Sequence, residues 1–134
     1  MTGNGFVGLV IVSHSAAIAS GLAELVAQVA GPDVPIVTAG GGPEGTLGTD
    51  GGRVLEALQT VDRAGAVVLA DLGSSLLSVR AALAELSPGQ AERIVLANAP
   101  LVEGAIAAGV TASTGASLTE VAAAAEEARG VPKF

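Results

Sequence analysis

The 134-residue chain contains no cysteine, tryptophan or tyrosine, two phenylalanines, one histidine and, at Lys133, one lysine. Without cysteine there is no disulfide framework, thiol nucleophile or zinc–thiolate site, and the absence fits a cytoplasmic location. With aromatic side chains limited to Phe6 and Phe134, the core has to be built from Val, Leu, Ile and Ala, which make up much of the hydrophobic half of the sequence. Basic residues are scarce as well: 6 Lys and Arg against 13 Asp and Glu leave a formal net charge of -7. Nucleic-acid binding calls for clustered cations, so that partner class is excluded, and the same sign disfavours anionic membranes. No apolar stretch reaches the length of a transmembrane helix, and the first one lacks the basic flank and cleavage site of a signal peptide. The length suits one domain, 1–134, with no internal boundary.

What the chain does have is alternation. Val7–Val12 is a short, β-branched run that reads as a strand buried on both faces, ending at Ser13-His14-Ser15. Before it, Met1–Gly5 is a polar lead-in expected to be poorly ordered. Ile18, Leu22, Leu25, Val26 and Val29 then recur at helical spacing up to Gly31-Pro32, and Val34–Thr38 gives a second strand, followed by a glycine-rich loop from Gly40 to Gly48. Thr49 is placed to cap a helix with Asp50 in its first turn and Val54, Leu58 and Val61 on its buried side. A third strand, Ala66–Ala70, ends at Asp71-Leu72-Gly73-Ser74-Ser75, and Leu76, Val79, Leu83 and Leu86 mark the helix after it. Residues 93–97 form a fourth strand, then come an Ala-rich helix with Ile106 and Val110 and a last helix opened by Ser117-Leu118-Thr119-Glu120. Strands that alternate with helices imply an α/β fold: an open parallel sheet of about four strands with helices on both faces.

Three polar clusters fall at carboxyl ends of strands, the edge where such sheets bind ligands. If the first and third strands are neighbours, His14 faces Asp71. A carboxylate that takes the proton of one ring nitrogen leaves the other nitrogen's lone pair free, as a phosphoryl-accepting imidazole requires. On that geometry Nδ1 would donate to Asp71 and Nε2 would attack, and the sequence by itself leaves open which nitrogen does which. With so few cations in the chain, the incoming negative charge has to be met by helix-start amides and hydroxyls, for which Ser15, Gly48, Thr49 and Ser74 are the candidates. Taken singly, each of these residues is more simply a cap or a turn. Gly40, Gly42 and Gly45 match G-x-G-x-x-G, but after the second strand and with Pro43 inside, so a dinucleotide site is not expected. The loop has no lysine, which removes a Walker A reading, and a single histidine without cysteine makes a poor metal site; no metal or other cofactor is expected.

Four motifs in this order, Val12-Ser13-His14-Ser15, Gly48-Thr49-Asp50, Asp71-Leu72-Gly73-Ser74-Ser75 and Asn98-Ala99-Pro100-Leu101-Val102-Glu103-Gly104-Ala105, resemble the phosphotransfer subunit family of phosphoenolpyruvate-dependent dihydroxyacetone kinase. That family is similar to the mannose-type IIA domains of the sugar phosphotransferase system. The resemblance covers nearly the whole chain and implies the strand order 2-1-3-4, a phosphohistidine at His14 oriented by Asp71, and a homodimer. It further implies a histidine phosphocarrier protein as donor and ADP on the kinase's nucleotide-binding subunit as acceptor. A mannose-type sugar IIA domain and a non-catalytic regulatory or scaffold module are the alternatives.

Overall fold

A computed structural model describes residues 5–134. The expected disorder of the lead-in falls on Met1–Asn4, outside the described residues. The elements are β1 (Gly8–Ser13), α1 (Ala16–Ala30), β2 (Ile36–Gly40), α2 (Gly51–Gln59), β3 (Ala66–Ala70), α3 (Gly73–Glu85), α4 (Pro88–Ala91), β4 (Ile94–Leu96), α5 (Leu101–Ala112) and α6 (Leu118–Glu127). Short 3-10 turns lie at Pro43–Gly45 and Ala128–Gly130. All four strands are parallel and run in the order 2-1-3-4, so β1 and β3 are the inner pair, as expected.

The pleat of β1 divides the core. Leu9 and Ile11 point to one face, where α1, α5 and α6 pack with Val26, Ala105, Ala108 and Val121, while Val10 and Val12 point to the other, against Val54 and Leu58 of α2 and Val79 of α3. Val67 and Leu69 of β3 join the first cluster and Val68 the second, so both inner strands are covered on both faces. Each fully buried Leu, Ile or Val contributes about 1.5–3 kcal/mol, and a core of this kind does without rings.

Several elements differ from the sequence-based expectation. The second strand begins at Ile36, two residues late, because Pro35 has no N–H to give a ladder; its carbonyl nonetheless accepts from Leu9 N–H at 2.9 Å. The inward face of α1 is Ala19, Leu22, Val26 and Ala30, and Ile18, Leu25 and Val29 stand half exposed beside it. In α5 Ile106 is partly buried and Val110 half exposed, and the buried side is Gly104, Ala105, Ala108, Gly109 and Ala112, a face of small residues. It lets α5 come so close to α1 that a Cβ on Gly109 would sit 2.6 Å from Val26 Cγ1. On α3 Leu76 faces outward, and the buried row is Ser75, Val79 and Ala82. The Ser87-Pro88-Gly89 break holds one further turn, α4, closed by a capping box between Ser87 and Gln90. Among the described residues no helix is long and apolar enough to cross a membrane.

Candidate phosphoryl-accepting site

Strand β1 delivers Ser13 and then His14 to the carboxyl edge, and β3 delivers Asp71 beside them, since Val12 pairs with Ala70 across the inner ladder. Asp71 N–H donates to Val12 C=O at 3.2 Å, extending the pairing into the site. The imidazole and the carboxylate therefore meet through the register of two adjacent strands.

Nδ1 of His14 lies 2.9 Å from Asp71 Oδ1. An ionised carboxylate only accepts, so Nδ1 carries the proton and Nε2 keeps its lone pair. Nε2 is directed outward and contacts Ser74 Oγ. The ring is partly open to solvent, its side chain 24% exposed against 14% for Asp71.

The carboxylate is held from every side. Oδ2 accepts from Ser13 Oγ at 2.8 Å and from His14 N–H at 3.0 Å; Oδ1 accepts from Leu72 N–H and Ser75 Oγ, each at 2.8 Å. Partial burial works to raise the Asp71 pKa, but the donors from the His14 backbone, the His14 ring, Ser13 and Ser75 outweigh it and hold the carboxyl well below the usual range.

The other expected site residues are distributed around this pair. Ser74, in the first turn of α3, lies against the ring, and Leu72, the N-cap of α3, makes no side-chain cap bond. Ser15 caps α1, its Oγ accepting from Ile18 N–H at 3.2 Å. Gly48, at a φ of 128°, spends its N–H on His14 C=O at 2.9 Å, so that amide braces the histidine and is not free for an anion. Thr49 does not cap α2; Asp50 does, accepting from Gly52 and Arg53 N–H, while Thr49 Oγ1 lies 2.9 Å from Ser78 Oγ one turn along α3 from Ser74. Sequence reasoning passed over Ser13 and Ser75, the two wholly buried polar side chains among the described residues. The i, i+4 spacing of Asp71 and Ser75 at a helix start was the one signal available for the second.

Three leucines on the segments that supply the site are exposed. Leu47 precedes Gly48, Leu72 follows Asp71 and Leu77 lies in the first turns of α3, and they are 82%, 61% and 69% exposed. A groove lined by Asp71, Leu72, Gly73, Leu76, Arg80 and Asn98 opens along the same edge. Among the described residues there is no cluster of three or more His, Cys, Asp or Glu able to hold a metal ion.

The chain is 44% identical over 126 residues to the phosphoryl donor subunit DhaM of the PEP-dependent dihydroxyacetone kinase of Providencia stuartii, covering 91% of this chain and 26% of that protein. The Escherichia coli subunit of the same name is 41% identical over 119 residues, again with 25% of its length covered, so the chain spans about a quarter of these relatives. A shorter Listeria innocua relative, the donor subunit DhaM of dihydroxyacetone kinase 2, is 35% identical over 105 residues, covering 78% of this chain and 84% of its own. A crystal structure of the unknown-function protein EF1359 superposes with a TM-score of 0.81 at 33% identity, covering 90% of this chain and 93% of the other. Residues 8–122 match the family described as the PTS system fructose IIA component, and the chain belongs to that family, EIIA-man.

Proposed function

We propose that this protein is a phosphohistidine carrier that serves dihydroxyacetone kinase, with residues 1–134 as one phosphotransfer domain. The observation that carries the reading is His14 at the outlet of the inner strand pair, with Nδ1 on Asp71 and Nε2 turned outward. The names of the relatives support the choice of pathway.

The donor we assign is the histidine phosphocarrier protein of the phosphotransferase system. Nε2 attacks its phosphorus, the donor's N–P bond breaks with the electron pair staying on the donor's imidazole, and a bond forms between phosphorus and Nε2. The His14 ring thereby becomes cationic while Nδ1 keeps its proton, and the Asp71 carboxylate 2.9 Å away offsets the charge. Ser74 Oγ, now against Nε2, turns about χ1 to make room and donates to a phosphoryl oxygen, joined by the first amides of α3. Ser15, Gly48 and Thr49 act on the phosphoryl site through the frame they hold. In the second half the group passes to ADP on the kinase's nucleotide-binding subunit; Nε2 recovers its electron pair and no proton has moved. A site that meets the phosphoryl group with hydroxyls and amides suits a shuttle, because tight retention would stop onward transfer. We further assign a cytoplasmic homodimer, for which the half-exposed strip Ile18, Leu25 and Val29 on α1 offers an apolar surface.

Incubation with phosphoenolpyruvate, enzyme I and the phosphocarrier should place one acid-labile phosphoryl group on His14, and ADP-loaded kinase subunit should remove it. His14→Ala abolishes labelling; Asp71→Asn slows it by about a hundredfold while the protein stays folded. Label on another residue, or none with active carriers, overturns the proposal. Label that the sugar-transporter IIB partner discharges and the kinase subunit does not would assign the chain to the sugar branch.

A further inference from the structure

Ser13 and Ser75 are both buried and both bonded to Asp71, yet they are not equivalent. Ser13 donates to Oδ2 and accepts Ser15 N–H at 3.1 Å, with no hydrogen bond to the ring. Ser75 Oγ lies 2.8 Å from Asp71 Oδ1 and also 3.0 Å from His14 Nδ1. A hydroxyl has one proton for these two neighbours. With the proton toward Asp71, its oxygen faces Nδ1 with lone pairs, and that nitrogen has to be the protonated one. With the proton toward Nδ1, the ring proton is driven to Nε2, the atom a phosphoryl group has to occupy.

We propose that Ser75 is a positioning residue that sets the tautomer of His14, donating to Asp71 Oδ1 and accepting, together with that carboxylate, from Nδ1–H. The inference rests on the reading of His14 as a phosphoryl acceptor at Nε2. Asp71 is a crowded acceptor by itself: five donors converge on a carboxylate with about four lone-pair sites, three of them on Oδ1. Leu72 N–H and Ser75 Oγ–H compete with the ring for that oxygen, and a second acceptor at 3.0 Å restores what the competition takes. Ser75 suits the task because it has little freedom. It is wholly buried, four residues after Asp71, with its N–H on Leu72 C=O at 2.9 Å. The same pair of acceptors serves the ring when Nε2 carries the phosphoryl group, so the proton stays on Nδ1 throughout the cycle.

The test uses unphosphorylated, 15N-labelled protein at about pH 9, above the ordinary imidazole titration near 6.5. His14 is the sole histidine, so both ring signals belong to it, and coupling to the carbon-bound protons Hε1 and Hδ2 tells Nε2 from Nδ1. Wild type should show one protonated nitrogen, Nδ1, and one bare one, Nε2. Ser75→Ala should draw the two 15N shifts toward each other as the second tautomer becomes populated, and should slow labelling by about three- to tenfold, the scale of one neutral hydrogen bond. Ser13→Ala removes a donor from the same carboxylate without touching the ring and should leave the shifts where they are. Unchanged shifts in Ser75→Ala, or equal displacement in Ser13→Ala, overturn the assignment. The nitrogen shifts need no donor protein, so this result is independent of whether His14 accepts phosphate from the phosphocarrier.

Discussion

At the scale of residues, Asp71 makes the site sensitive to acid. Its carboxyl binds a proton less readily in the folded protein than in the unfolded chain, where the ordinary value is about 3.9. The stability it contributes is therefore complete above that value and is lost as pH falls below it toward the folded-state pKa. Thermal unfolding of wild type and Asp71→Asn compared from pH 7 downward should show a constant gap to about pH 5 and a closing one below about pH 4. A gap that persists at the lowest pH would mean that the asparagine is penalised by geometry and not by lost charge. His14 and Asp71 were legible in the sequence because a lone imidazole and a lone carboxylate each ended an apolar run. Ser13 and Ser75 were not, since serine at a strand end or helix start looks the same whether its hydroxyl meets water or a carboxylate.

Among the elements, the strands and helices were legible as types from periodicity, and the faces of the helices less so. Rules that seek large apolar residues pick out Ile18, Leu25 and Val29 in α1, which stand half exposed, whereas α5 turns alanines and glycines to α1, Gly109 against Val26 and Ala30, so that the backbones draw together. Small residues carry little hydrophobic signal and mark a close approach only when the neighbour is known. Gly109→Ala measures this. On an exposed helix the change would stabilise by about 1 kcal/mol; here the new Cβ meets the buried Val26 side chain, and we expect a net loss of about 1–3 kcal/mol by denaturant titration. Ile11, wholly buried under α1 and α5, should cost about 2–5 kcal/mol as Ile11→Ala. The late start of β2 was readable in principle from Pro35, while the turn of α4 was concealed by a Pro-Gly pair that usually ends a helix.

For the molecule as a whole, three leucines stand exposed on segments that supply the site, Leu47 beside Gly48, Leu72 beside Asp71 and Leu77 in α3, in a chain of net charge -7. A partner that covers them excludes water from the reaction. Leu47→Asp together with Leu77→Asp should lower labelling by the phosphocarrier by about tenfold, equivalent to about 1.4 kcal/mol of docking energy. Melting temperature should be unchanged, and so should labelling by phosphoramidate, a reagent too small to need the surface. The strand order was legible only through the family resemblance, because periodicity fixes which segments are strands and says nothing of which lie side by side.

The parallel sheet also has a consequence for how the chain reaches this state. Every ladder joins strands separated by a helical crossover, β1 to β2 and, farther along the chain, β1 to β3, so no hairpin is available to start the sheet. Refolding should fall in the slower, millisecond-to-second range typical of non-local pairing. On the ribosome β1 emerges before the other three strands, apolar on both sides, and remains without its inner neighbour until more than fifty further residues have been made.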